Sequence, residues 1–213
     1  MRNICLTIGL SLASAAFAAP PQRVEIAYEV QRNGLGLAAV TQQFEHDGRS
    51  YKLTETTRGR GALSLRGEIV RTSEGAVAAD GLRPVKYEDK RSGRDAQQAQ
   101  FDAAAKTATR LRQDRLSFIW TFAFTPPKRP VTITVADGKD TTTYTYEPAG
   151  RERVKTPAGE FDALKLVKRR SKAEDRVTEI WLAAERNYVP VRLLVVDKDG
   201  TRLDTLATKI EAK

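Results

Sequence analysis

Five tight-turn pairs punctuate the chain: Asn33-Gly34, Asp47-Gly48, Asp80-Gly81, Asp137-Gly138 and Asp199-Gly200. Asn-Gly and Asp-Gly accept the positive φ angles of type I′ turns, whose twist matches a pair of antiparallel strands. Period-two segments flank most of them. Val24, Ile26, Tyr28 and Val30 share one face, with Glu25, Glu29 and Gln31 on the other. Val131, Ile133 and Val135 alternate with Thr132 and Thr134, and Tyr144 and Tyr146 lie opposite threonines. β-Branched and aromatic residues suit a pleated, half-buried surface. Further strands are predicted near 37–45, 50–58, 62–72, 84–91, 96–102, 106–112, 161–170, 174–183, 189–197 and 201–210. Spacing this even predicts a mainly β protein built as one long antiparallel meander.

One stretch breaks the pattern. "DRLSFIWTFAFTPP", residues 114–127, is apolar almost all round. Asp114 is placed to cap a short helix beginning near Arg115, and Pro126-Pro127 stops it. A helix near 114–124 is too short to cross a bilayer, so the expectation is a helix buried in the mouth of a curved sheet. A buried strand is the competing reading, because periodicity alone does not assign short apolar runs.

The first residues, "MRNICLTIGLSLASAAFAAP", have the build of a secretory signal peptide: Arg2, an apolar core from Ile4 to Leu12, and Ala16-Phe17-Ala18 before the cleavage point. An uncleaved anchor is the alternative, but the apolar run is shorter than the roughly 20 residues that span a membrane. The expected organisation is a signal peptide at 1–18 and a single β-rich domain at 19–213, delivered to the periplasm. The only cysteine, Cys5, leaves with the leader, so the mature chain has no thiol chemistry and no disulfide. The formal charge of +9 falls to +8 without Arg2. An envelope compartment offers little nucleic acid, so anionic lipid headgroups or other acidic envelope polymers are the expected attractors, with peripheral membrane contact.

Few chemistries fit these residues. His46 is the only histidine, it sits beside a turn, and no nucleophile motif accompanies it. With one histidine and no mature cysteine, a zinc site is not expected, nor is any other metal or cofactor. "DKDG" at 197–200 has Val195 where a calcium loop needs an acid, and reads as a hairpin turn. "RGRGALSLRG", at 58–67, has no third glycine of a dinucleotide fingerprint and reads as glycines at a sharp bend. No pair of carboxylates stands out, so no catalytic residues are assigned and the chain is read as a non-enzyme. The aromatic residues Phe118, Trp120, Phe122 and Trp181 are either core or the lining of an apolar cavity suited to a lipid or peptide. Lys168, Arg169, Arg170 and Lys172 are either a protected strand edge or a contact for an anionic surface.

Three strings carry a resemblance: "ADGLRPVKYEDKRSG" (79–93), "VKTPAGEFDALKLVKR" (154–169) and "TEIWLAAERNYVPVRLLVVDKDG" (178–200). Together, and in this order, they resemble the bacterial domain-of-unknown-function family 3108. The resemblance implies an exported protein whose meander curls into an open barrel or β-spiral, like periplasmic lipoprotein carriers. It implies no activity and supplies no catalytic residues. The expected function is to support the cell envelope by binding a lipidic or polypeptide ligand. The alternative is an interaction module with a filled core that docks to an envelope protein through a sheet edge. An outer-membrane barrel fits less well, because the strands carry many charges where such a barrel shows an apolar band.

Overall fold

The structure, a computed structural model, describes residues 20–101 and 112–213. The signal peptide expected at 1–18 and most of the strand expected at 106–112 lie outside them. The described chain forms thirteen strands: β1 (Arg23–Arg32), β2 (Leu35–His46), β3 (Ser50–Gly59), β4 (Glu68–Ala78), β5 (Gly81–Arg91), β6 (Gln97–Gln100), β7 (Arg112–Gln113), β8 (Val131–Ala136), β9 (Thr141–Thr156), β10 (Gly159–Lys168), β11 (Val177–Ala183), β12 (Val189–Val196) and β13 (Arg202–Ala212). One helix, α1 (Ser117–Phe124), lies between β7 and β8. All strands belong to one unclosed sheet in the order β6-β5-β4-β3-β2-β1-β13-β12-β11-β10-β9-β8-β7. Two meanders are therefore joined by the pairing of β1 with β13. Each of the five Asx-Gly pairs lies at a connection between strands, and Asn33 and Gly34 both have positive φ, as a type I′ turn requires.

Directly opposed residues of antiparallel strands share a face, so the register defines rows across the sheet. One row runs Val24, Phe44, Leu53, Ser73, Tyr87, and all five are buried. The next row runs Ile26, Gln42, Glu55, Arg71, Asp89 and is polar after its first member. These polar side chains satisfy one another. Gln42 donates to Glu55 at 2.8 Å, and Arg71 donates to Glu55 at 2.7 Å and to Asp89 at 3.0 Å. Burial works against the Asp89 carboxylate, but Arg91 and Arg71 hold its pKa below the usual range.

Beyond Leu206, the last residue of β13 paired with β12, the tip of the β9–β10 hairpin folds back onto the sheet. There the Ala158 N–H donates to the Ala207 carbonyl at 2.9 Å. The β10 strand makes this fold-back possible through a register shift between Leu164 and Leu166. The hairpin covers one face while the opposite face is covered too. Consequently Trp181 and Ala183 of β11 alternate with Ile180 and Leu182, and all four are buried. The "TPAG" turn is thus a docking element: Val154, Thr156, Phe161 and Ala163 on its two arms are buried.

Three expectations need correction. Residues 61–66 form a 3-10 turn and not the start of a strand, because Gly61 and Gly67 at φ +56° and +72° bracket a segment that bends away from the sheet. The β9 strand continues through residues 147–156, where no strand is expected because Pro148, Gly150 and five charges argue for a loop; pairing with β10 holds it. The meander is not wholly antiparallel, since β7 pairs with β8 in parallel over Arg112 and Gln113.

Candidate functional site

The helix α1 is fixed at its start by an acid. Asp114 Oδ1 accepts the N–H groups of Leu116 and Ser117, each at 2.8 Å, and Ser117 Oγ accepts the Asp114 N–H at 3.0 Å. This reciprocal pairing satisfies donors that a helix start leaves open. Ser73 Oγ donates to the other oxygen, Oδ2, at 2.6 Å, and Tyr51 stands 2.8 Å behind Ser73. Burial pushes the Asp114 carboxyl above the ordinary range, against the pull of Ser73 and the backbone donors. Midway along, the Leu82 N–H donates to Thr121 Oγ1 at 3.1 Å and Gln113 Nε2 donates to the Leu82 carbonyl at 2.8 Å, which ties helix and β7 to β5.

The helix has an apolar residue on nearly every side because it is covered on nearly every side. Trp120 is wholly buried, stacks on Phe44 with ring centres 4.4 Å apart, and donates its Nε1–H to Gln42 Oε1 at 3.1 Å. Phe118 and Phe122 both meet Tyr146, stacked at 5.9 Å and edge-on at 5.7 Å. Trp181 lies elsewhere, in the layer that includes the folded-back hairpin. Its Nε1–H reaches Glu152 Oε1 at 2.6 Å, with the Lys165 ammonium 4.9 Å and the Arg192 guanidinium 4.6 Å from its ring. The four aromatic residues therefore do not converge on one cavity. Of the four, Phe122 borders an open space.

That space is a cleft of about 490 Å³ where α1 gives way to the segment leading into β8. Phe122, Phe124, Pro126, Pro127, Val131 and Ile133 supply its apolar wall, and Asp80, Lys128 and Arg129 supply charge. Apolar walls with a few charges suit an amphiphile. In the sequence, residues 125–130 read only as the stop of a helix before the strand that begins at Val131. The signal available was Pro-Pro-Lys-Arg-Pro set between two apolar runs, a rigid strap carrying two cations.

The basic residues Lys168, Arg169, Arg170 and Lys172 do come together, in the β10–β11 connection. With Arg176, Thr143, Tyr144 and Thr145 most of them border a polar depression of about 450 Å³. Arg169 pairs with Glu147 at 2.5 Å, and Lys168 lies 5.2 Å over the Tyr144 ring. Burial first, and the neighbouring Arg176 second, lower the Lys168 pKa. His46 has both ring nitrogens engaged: Nδ1 accepts the Gly48 N–H at 3.2 Å and Nε2 faces the Pro20 carbonyl at 2.9 Å. Among the described residues, no three side chains of metal-ligating type gather into one site, and no helix is long and apolar enough to cross a membrane.

A curled, unclosed antiparallel sheet with a helix lodged against its concave face defines a barrel-like protein. The sequence matches the model of a family of proteins of unknown function, DUF3108, over residues 25–207, and the chain belongs to that family. Among solved structures it is similar to a β-barrel-like protein of another domain-of-unknown-function family, DUF1849, from Brucella abortus. That pair shares 10% identity over 92% of this chain and 100% of the other, with a TM-score of 0.55. Looser likenesses are to a protein from Bacteroides fragilis described as exported with a YmcC-like fold, and to MucB in its complex with MucA(peri). The first is 12% identical over 92% of this chain and 100% of the other, with a TM-score of 0.42. The second is 13% identical over 90% of this chain and 51% of the other, with a TM-score of 0.32. The DUF1849 likeness establishes the barrel-like fold, and nothing in it or in the family points to catalysis. Among curated proteins no sequence match was found.

Proposed function

We propose that this protein is a non-catalytic component of the bacterial envelope, exported to the periplasm, that holds a lipidic ligand in the cleft at the end of α1. The observation that carries the reading is the composition of that cleft: an apolar wall from Phe122 to Ile133, with Lys128 and Arg129 where an acidic headgroup would lie. An acyl chain gains about 0.8 kcal/mol for each methylene taken out of water, so a few buried carbons suffice for measurable affinity. The signal-peptide-like build of residues 1–18 supports the compartment.

Native mass spectrometry of protein purified from its own periplasm tests the proposal. A lipid adduct is expected on the native chain, and it should vanish in Val131→Trp, which fills the cleft from a half-buried position. Recovery of ligand-free native protein, or an adduct unchanged by Val131→Trp, would refute it.

One observation favours a second reading, docking of an envelope protein. Among the described residues, strand β6 pairs only with β5 and exposes Gln97, Gln98 and Gln100 at the sheet edge, with Gly138 of the β8–β9 turn beside the Gln98 backbone. An added strand finds its partners at such an edge. A crosslink from Gln98 to one reproducible protein, with no lipid adduct, would favour it.

A further inference from the structure

The glycine-rich stretch 58–67 has no part in the cleft, yet it carries the most exposed large apolar side chain described. Leu65 is 89% exposed, and Leu35 follows at 77%. The two belong together in the fold. The Arg60 N–H donates to the Leu37 carbonyl at 2.9 Å, which fastens the 3-10 turn 61–66 to the start of β2 beside Leu35. The turn is a built projection. A Cβ on Gly59 would lie 2.5 Å from the Leu63 carbonyl oxygen, and Ser64 Oγ donates to the Gly61 carbonyl at 2.7 Å. Positive φ at Gly61 and Gly67 turns the chain out and back.

Arginines surround the two leucines. Arg60 pairs with Glu29 and Arg58 with Glu68. Arg66 and Arg94 form no ion pair among the described residues. Antiparallel order places six connections at this end of the sheet: β1–β2, β3–β4, β5–β6, β8–β9, β10–β11 and β12–β13. These connections and the strand ends they join hold thirteen basic residues against eight acidic ones, and the β10–β11 loop from Lys168 to Arg176 is the densest part.

We propose that this rim rests on an anionic bilayer, with Leu35 and Leu65 entering the headgroup layer and the surrounding arginines and lysines meeting lipid phosphates. A protein partner needs a patch of roughly 800 Å² with matching shape. Two leucines on projecting turns ringed by cations offer no such patch. A fluid, negatively charged interface conforms to them, and combining apolar insertion with basic charge is how peripheral proteins hold to membranes. None of these residues lines the cleft beside α1, so the proposal stands or falls separately from ligand binding there.

Sedimentation of the full mature chain with vesicles provides the test, using phosphatidylcholine alone and phosphatidylcholine mixed with phosphatidylglycerol. Binding is expected only with phosphatidylglycerol present, and it should weaken as salt is raised. Leu65→Ser should weaken it by about tenfold, from the loss of one inserted aliphatic side chain. Arg66→Gln and Arg94→Gln should each weaken it about fivefold. Arg49→Gln, at the other end of the strands, should leave it at the wild-type level. Equal binding to neutral vesicles, wild-type binding by Leu65→Ser, or an Arg49→Gln loss matching that of Arg66→Gln would overturn the proposal. Absence of vesicle binding, as for a rim that meets an acidic protein instead, would overturn it as well.

Discussion

Replacing Asp114 with alanine removes one acceptor shared by three buried donors: the N–H groups of Leu116 and Ser117 and the hydroxyl of Ser73. Loss of a helix N-cap costs about 1 kcal/mol. Orphaning the Ser73 hydroxyl adds about 1–3 kcal/mol, moderated by its second neighbour Tyr51. Relief from burying a carboxyl subtracts part of this, leaving a net loss of about 2–3 kcal/mol. Asparagine keeps an oxygen for the two backbone donors and turns its amide towards Ser73 Oγ, so Asp114→Asn should cost about 1 kcal/mol. The two variants also differ from the native chain in pH dependence. Because the folded pKa of Asp114 is raised, the native state binds its proton more readily than the unfolded chain. That contribution is full below the unfolded value of about 3.9 and is lost as pH rises through the higher folded value. The stability advantage of the native chain over Asp114→Asn should therefore shrink across that window as pH increases. Urea unfolding followed by tryptophan fluorescence measures it, with Trp120 on the helix concerned as reporter. An Asp114→Asn cost equal to that of Asp114→Ala, or a difference independent of pH between 4 and 7, would refute the reasoning.

Two further substitutions probe the sheet. Gly75→Ala places a Cβ 2.1 Å from the Arg83 carbonyl oxygen, at the register shift between β4 and β5, and should cost about 1–3 kcal/mol in urea unfolding through forced separation of the strands. Ala158→Pro removes the donor to Ala207 that docks the hairpin tip; the urea midpoint should fall by the equivalent of about 1 kcal/mol, and Trp181 should become accessible to acrylamide quenching while Trp120 does not.

Local chemistry was legible in the sequence wherever a residue acts on its immediate neighbours. The Asx-Gly turns sit between strands because glycine accepts the positive φ found at Gly34, Gly48, Gly81, Gly138 and Gly200, and at the first pair Asn33 accepts one too. Asp114 caps its helix, and Pro126-Pro127 ends it, for reasons contained within a dozen residues. The misreadings arose where distant parts of the chain decide. Leu63 and Leu65 alternate with polar or small residues as a strand would, but they lie in a 3-10 turn that bracketing glycines bend away from the sheet, with Leu65 outermost. Residues 147–156 look like a loop, yet their backbone pairs with β10 as a strand, with the ion pairs Arg151–Asp162 at 2.5 Å and Arg153–Glu160 at 3.5 Å lying across the two strands. Context of this kind overrides β propensity. Trp181 could be recognised as a large apolar residue, but its burial depends on a hairpin folding over it. No periodicity along β11 announces that. The cleft was invisible for a similar reason: its wall combines the end of a helix, a proline strap and the β4–β5 turn, brought together only by the curl of the sheet.

The pairing of β1 with β13 has a consequence for how the chain assembles. Within each half of the sheet, nearly every strand pairs with its neighbour in sequence, so each half can zip up locally. The seam between them joins Val24 to Ala212 and Arg32 to Leu203, the longest loop closures in the molecule. Until residues 202–212 have paired with it, β1 is an open edge displaying Val24, Ile26, Tyr28 and Val30, an invitation to pair with other chains. Contacts of such sequence separation form slowly, so joining the halves is the natural bottleneck of folding. The seam thus sets the sequence separation that the two halves must bridge before either loses its open edge.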